Sequence, residues 1–207
     1  MTRLTTPIVP TKIVCVGRNY ADHAKELGNE APPEPILFLK PPSAVIAHEA
    51  TIVRPAISQR VDFEGELAIV IGRTAKHVQA AEWRDFVLGF TCANDVTARD
   101  LQKKDVQFTR GKGFDTFCPL GPHIETELDV SDLRIATRVN GETRQDGRTS
   151  QMIFSCGALV EFITAVMTLV PGDVILTGTP AGVGPLNAGD TVEVEIEGIG
   201  VLRNAVA

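Results

Sequence analysis

Three acidic side chains carry the strongest chemical signal in this chain. Val61 to Gly72 reads VDFEGELAIVIG. In an extended segment alternate residues share a face. Glu64 and Glu66 therefore stand side by side, next to Asp62, with Ala68 and Val70 continuing the same face. Two carboxylates at the edge of an apolar face repel each other and are costly to desolvate. A cation between them removes both costs. Asp95, in ANDVTARD after a short apolar segment, is the natural third ligand. Three carboxylates completed by water suit Mg2+ or Mn2+, whereas zinc prefers His and Cys. The local pattern is also compatible with a solvated strand face at E-x-E and with a helix N-cap at Asp95.

Other residues add to this set. His23 and Glu26 are three apart in a short helical segment, hence on one face. They could act as a general base with its orienting carboxylate, or form an ordinary surface pair. Lys112 sits between two glycines in RGKG. This is no phosphate loop, because the earlier glycine and the following Ser/Thr are missing. A lysine there could meet a substrate carboxylate or an enolate, or simply be solvated. GTPAGVG, Gly178 to Gly184, has the wrong glycine spacing for a dinucleotide site, but Thr179 could offer a hydroxyl and backbone N–H groups to an anion. His48, His77 and His123 have no evident partner.

The elements that must position these residues are mostly strands. Lys12–Val16, Ile36–Leu39, Glu64–Ile71, Phe90–Ala93, Leu133–Val139, Val174–Leu176 and Thr191–Ile196 read as strands. Val201–Val206 pairs back on the last of these across Gly198. Asn140-Gly141 marks a hairpin. Ser155 to Leu169 is the clearest helix, with Leu159, Phe162, Ile163, Val166 and Met167 on one face. Ala80–Val87 also reads as helical, a short helix capped by Asn19 or Asp22 runs through Leu27, and RGKG reads as a loop. We expect a mixed α/β, mainly β fold, with residues 1–207 forming one domain.

The chain has 207 residues, 43% of them hydrophobic, and a formal charge of −6. That charge argues against a nucleic-acid partner. Cys15, Cys92, Cys118 and Cys156 form no CxxC pair and have apolar or small neighbours, which fits core thiols in a reducing cytoplasm. Thr2–Pro10 lacks the apolar core of a signal peptide, and no apolar run is long enough to span a membrane.

VGRNYADHAKE, LFLKP, DFEGELAIVIG, NDVTARDLQ, GKGFDTFCPLGP, VNGETRQDG and LTGTPAGVG occur in that order between Lys12 and Val206. Each is weak alone, but together they are specific. In this set the chain resembles the fumarylacetoacetate hydrolase family, in its small acylpyruvate hydrolase and oxaloacetate decarboxylase-like branch. The resemblance implies a β-roll of mixed sheets with a few helices, usually a homodimer. It implies Mg2+ or Mn2+ on Glu64, Glu66 and Asp95, with Lys112 as an active-site lysine. It further implies His23 and Glu26 as a catalytic dyad on residues 18–35, a candidate mobile lid. Arg18, Arg99, Gln102 and Thr179 match pocket-lining, substrate-binding segments. The implied substrates are small 2-oxo acids, cleaved at a C–C bond through an enolate held at the metal. Acylpyruvate hydrolysis with oxaloacetate decarboxylation is the first expectation. Isomerisation, tautomerisation or decarboxylation of 2-hydroxy-dienoate or 2-oxo-enoate acids, including oxaloacetate tautomerisation, is the second.

Overall fold

A computed structural model describes residues 3–4 and 8–207 of the chain. In chain order its elements are β1 (Arg3–Leu4), β2 (Ile13–Gly17), α1 (Ala21–Glu26), β3 (Ile36–Lys40), β4 (Val45–Ile46) and β5 (Thr51–Ile52). There follow β6 (Val61–Phe63), β7 (Gly65–Ile71), β8 (Val87–Asn94), β9 (Thr97–Ala98), α2 (Arg99–Lys104) and α3 (Thr109–Lys112). The second half holds β10 (Cys118–Glu125), β11 (Arg134–Val139), β12 (Glu142–Arg148), α4 (Cys156–Val166), β13 (Val174–Leu176), β14 (Gly184–Pro185), β15 (Thr191–Ile196) and β16 (Gly200–Val206). The architecture is mainly β, as expected.

The strands form a mixed sheet in the order β1-β10-β8-β7-β13-β2-β3, with β4 on β10. A second sheet runs β12-β11-β15-β16-β5, and a small one runs β14-β6-β9. β7 lies in the middle of the first sheet and every residue in it is buried. Burial on both faces is why LAIVI is continuously apolar rather than alternating. Leu67, Ile69 and Ile71 join Leu159, Val160 and Ile163 of α4 and Val194 and Ile196 of the second sheet in one core. Ala68 belongs to a separate cluster on the opposite face, with Ala93, Cys118 and Leu176. Glu66 precedes Ala68 on that face, at the end where the sheet opens.

α4 starts where its sequence says it should: the Ser155 hydroxyl accepts from Ala158 N–H. The hairpin at Asn140-Gly141 joins β11 to β12, and β16 pairs back on β15. Several sequence-based expectations need correction, among them the end of the long helix, which stops at an exposed Val166 rather than at Leu169. Ala80–Val87 forms no α-helix, only a 3-10 turn at Trp83–Phe86. The Phe86 carbonyl accepts from Gly72 and Arg73 N–H, which draws the backbone into the sheet after one turn. RGKG is not a loop but most of α3, closed by a bond from Lys112 N–H to the Phe108 carbonyl. The strand expected from Glu64 onward is interrupted at that residue, whose N–H donates to the Asn94 side chain. α1 has Tyr20 in its capping position and no side-chain cap. Asn19 is instead spent fastening the chain to Phe154 and to the Thr177 carbonyl.

All four cysteines are free and buried. Burial pushes the thiols of Cys92, Cys118 and Cys156 up to about 12, which removes the thiolate a cysteine nucleophile would need. Among the described residues, no helix is long and apolar enough to cross a membrane.

Candidate metal and substrate site

Glu64 sits at the break before β7, Glu66 one residue into it, and Asp95 just past the end of the neighbouring β8. The antiparallel register sets Gly65 opposite Asn94 and Glu66 opposite Ala93, so the end of β8 arrives beside the EGE step. One oxygen from each of Glu64, Glu66 and Asp95 lies within 4.8 Å of the others, and all three residues are buried. The solvated-face and N-cap alternatives therefore fall away.

Buried cations bridge this acidic cluster. Lys112 Nζ donates to Glu64 Oε2 at 2.8 Å and to Asp95 Oδ2 at 2.6 Å. Lys40 Nζ donates to Asp95 Oδ1 at 2.5 Å and to the Val96 carbonyl at 3.0 Å. Arg99 reaches Glu64 Oε1 at 2.5 Å, Asp62 Oδ2 at 2.9 Å and Gln102 Oε1 at 2.7 Å. Arg60 Nε closes the row on Asp62 Oδ1 at 2.8 Å. Charges alternate from Arg60 through Asp62, Arg99, Glu64, Lys112 and Asp95 to Lys40. Asp62 thus acts by aiming Arg99, not by joining the three clustered carboxylates.

The two glutamates of EGE are driven in opposite directions. Burial works against the ionised form of Glu64, but Lys112 and Arg99 outweigh it and hold that carboxyl far below the usual range. Burial pushes Glu66 well above it, and the Asp95 and Glu64 carboxylates push the same way. Burial also opposes the charge on Lys112, yet Asp95 and Glu64 keep its ammonium above the ordinary value. Among the described residues no cation pairs with Glu66; its Oε2 accepts the Gly178 N–H at 2.7 Å. The uncompensated charge of the cluster therefore lies at Glu66, between oxygen ligands of the hard type that Mg2+ and Mn2+ take. The donor set fits such an ion.

Above this floor is a cavity of about 520 Å3. Arg18, His23, Glu26, Glu64, Glu66, Asp95, Arg99, Gln102, Lys112 and Thr179 all line it. His23 is buried, and its Nδ1 lies 3.2 Å from Glu26 Oε2. An Nδ1–H tautomer donates to Glu26 and leaves Nε2 as the acceptor. The Glu26 oxygens also accept from Gly182 N–H at 3.1 and 3.2 Å, which ties α1 to the 178–184 turn. The Thr179 hydroxyl is less free than its sequence suggests. It donates to the Gly65 carbonyl at 2.8 Å and accepts from Gln145 Nε2 at 2.7 Å.

Sequence pattern alone misses several residues that shape the site. Gln145, fully buried on β12, accepts from Gly65 N–H at 2.9 Å and donates to the Pro180 carbonyl at 2.7 Å. Its signal in the sequence is an amide placed within a run of charged residues on β12. Lys40 ends an apolar strand before two prolines, and only its burial reveals its bond to Asp95. Gly65 is needed between the glutamates because a Cβ there would overlap Thr137 Oγ1.

The sequence model for the fumarylacetoacetate (FAA) hydrolase C-terminal region matches residues 12–207. The crystal structure of a 5-carboxymethyl-2-hydroxymuconate delta-isomerase from Mycobacterium smegmatis superposes with a TM-score of 0.92 at 55% identity, covering 97% of this chain and 78% of that one. A 2-hydroxyhepta-2,4-diene-1,7-dioate isomerase from Mycobacterium marinum gives 0.91 at 55% identity, covering 98% and 76%. The human mitochondrial oxaloacetate tautomerase FAHD2A is 48% identical over 209 residues, covering 95% of this chain and 67% of its own length.

Proposed function

The chain belongs to the fumarylacetoacetate hydrolase family, and on that footing we propose that it shifts a proton between the keto and enol forms of a 2-oxo acid, as a tautomerase or isomerase. The observation that carries this reading is Lys112, a buried ammonium 2.8 Å from Glu64 and 2.6 Å from Asp95 on the floor of the cavity. Fixed positive charge in a water-poor site is what an oxygen gaining enolate character needs. The relatives named isomerase and tautomerase support the reaction class.

Mg2+ or Mn2+, held by Glu64, Glu66 and Asp95, would supply Lewis-acid polarisation of the 2-oxo group. The residues of the chain do the rest. His23, the histidine that lines the cavity, takes the proton from the carbon beside the 2-oxo group through Nε2 and returns it at the second position. Glu26 fixes the ring tautomer and stabilises the imidazolium that forms. Gln102 spends its carbonyl on Arg99 and keeps its amide N–H groups for the substrate carboxylate. Arg99 aims Glu64, and Asp62 aims Arg99.

Hydrolysis of an acylpyruvate is a second reading, favoured by the His23–Glu26 pair at 3.2 Å, which suits activation of water. In that reaction water attacks the distal carbonyl, and the C–C bond breaks toward the 2-oxo acid. Oxaloacetate decarboxylation needs the same stabilised enolate without the water.

One experiment separates these. The enol absorbance of oxaloacetate is followed with protein and Mg2+, with Mg2+ alone, and with EDTA. Faster relaxation to the keto form without pyruvate production is the expected result, and His23→Asn should slow it roughly 100-fold or more. Release of acetate and pyruvate from acetylpyruvate would favour hydrolysis. Failure to accelerate either reaction over Mg2+ alone would overturn the proposal.

A further inference from the structure

We propose that Asn94 is a positioning residue that fixes the backbone separation of Glu64 and Asp95, and with it the relative preference of the carboxylate triad for a small octahedral cation. This rests on the reading of the triad as a divalent-metal site. Asn94 does not line the cavity, so it acts on the ion through the two ligands it joins.

The join between Glu64 and Asp95 departs from a regular ladder. Gly65 faces Asn94 in the antiparallel register, so Glu64 and Asp95 would form the next pair. Asp95 N–H donates to the Glu64 carbonyl at 2.8 Å, which marks that pair as the hydrogen-bonded kind. Such a pair normally exchanges two bonds, and Glu64 N–H would donate to the Asp95 carbonyl in return. Here it donates to Asn94 Oδ1 at 2.9 Å. The Asp95 carbonyl accepts instead from the Thr97 hydroxyl, at 2.8 Å. The Asn94 side chain thus takes the ladder place that its neighbour's backbone leaves open. The chain turns away after Asp95, while Glu64 stays clamped through both its N–H and its carbonyl to Asn94 and Asp95.

Position and burial agree with that role. Cys92 packs in one core with Leu159 and Val194, whereas Ala93 belongs to the cluster on the other face. Strand alternation puts Asn94 on the Cys92 side, away from the clustered carboxylates. Asn94 is 1% exposed, and its Nδ2 is buried with no partner among the described residues. A buried amide left half unpaired is costly. Of its two ends only Oδ1 has a task, and that task is to hold Glu64. Lys112, Arg99 and Lys40 draw in the carboxylate tips. Asn94 holds the backbone from which two of them extend.

Fixed ligand spacing discriminates by ion size. Mg2+ demands near-ideal octahedral geometry with oxygens at about 2.0–2.1 Å, whereas Ca2+ accepts irregular shells at about 2.3–2.6 Å. Loosening Glu64 against Asp95 therefore penalises Mg2+ more than Ca2+.

The test is calorimetric titration of metal-free protein with Mg2+ and with Ca2+, alongside melting curves in EDTA. Asn94→Leu keeps the size of the side chain and removes the acceptor. Its Mg2+ affinity should fall roughly tenfold or more, as on loss of an orienting partner, and its Ca2+ affinity by much less. Asn94→Asp keeps an acceptor and should retain the wild-type ratio of the two affinities, even where the added charge alters both. Thr97→Val releases the Asp95 carbonyl and should move the ratio in the same direction as Asn94→Leu. It carries the test if Asn94→Leu does not fold. A merely structural role lowers the melting temperature and weakens both ions alike. Equal losses for the two ions, or an unchanged ratio in Asn94→Leu and Thr97→Val, would overturn the inference and leave the triad standing. If the wild-type protein binds neither ion, the reading of the triad falls with it.

Discussion

Gln145 Oε1 accepts the N–H of Gly65 at 2.9 Å, although eighty positions separate the two residues. Gly65 is the step between Glu64 and Glu66, and its carbonyl is held by the Thr179 hydroxyl, itself bound to Gln145. An amide from the second sheet thus sets how the two carboxylates of the first sheet are presented. Gln145→Met should weaken Mn2+ or Mg2+ binding roughly tenfold or more, as loss of an orienting partner does at metal sites. It should also cost about 2–3 kcal/mol of stability, because buried partners are left unpaired. Calorimetric metal affinity and denaturant melts check both. A stability loss with unchanged metal affinity would show that Gln145 only packs.

Gly65→Ala drives a methyl group into Thr137 Oγ1, with Val194 at 3.2 Å and Gln145 at 3.3 Å. We expect a loss of roughly 1–3 kcal/mol from overpacking, together with weakened metal binding. The double variant Gly65→Ala with Thr137→Ala should recover part of the stability. The coupling energy from the four melts is the measurement; additive losses would contradict the clash.

Glu66 makes the metal-free protein less stable as pH rises. Its carboxyl is raised in the folded state, by burial first and then by Asp95 and Glu64, so the unfolded chain ionises first. Stability is therefore shed from about pH 4.3 upward, until the raised folded value is reached. Glu66→Gln removes this effect while its side-chain carbonyl can still accept from Gly178 N–H. Without metal, at neutral pH, the variant should melt a few degrees higher, roughly 2–5 °C. On addition of Mg2+ or Mn2+ the order should reverse, since only the wild-type chain gains from binding. A lower melting temperature in EDTA would contradict the assignment of uncompensated charge to Glu66.

Asp173 behaves in the opposite way. Its buried carboxylate accepts from Thr11 N–H and Oγ1, Lys12 N–H and Nζ, and Val170 N–H, at 2.6 to 3.1 Å. Burial raises its pKa, but these donors outweigh burial and hold it below the ordinary value. The stabilisation is complete above the unfolded value, about 3.9, and is lost as pH falls through the folded one. Asp173→Asn should cost about 2 kcal/mol at pH 7, with the deficit shrinking in acid. Its metal affinity should match wild type, since Asp173 lies at the start of β13, away from the cavity lining.

Much of the site was written locally. Glu64 and Glu66 are two apart on a strand, and His23 and Glu26 three apart on a helix. Those spacings follow from backbone periods that hold wherever the segment packs. The strands around β7, the start of α4 and the Asn140-Gly141 turn were legible for the same reason. Where local pattern met tertiary demand, the latter won: the Phe86 carbonyl was taken by Gly72 and Arg73, so Ala80–Val87 could not coil. Asn19 was used as a fastener rather than a cap. What spacing does not carry is which distant side chain completes a partner. Lys40 on Asp95, Arg99 on Asp62 and Gln145 on Gly65 each bridge dozens of positions. Their pairing depends on sheet order and burial, because a charged or amide group inside the protein must find whichever partner the fold brings near. The sequence by itself determined the carboxylates and the spacing of His23 and Glu26. Only the tertiary structure decided which cations neutralise the buried acids.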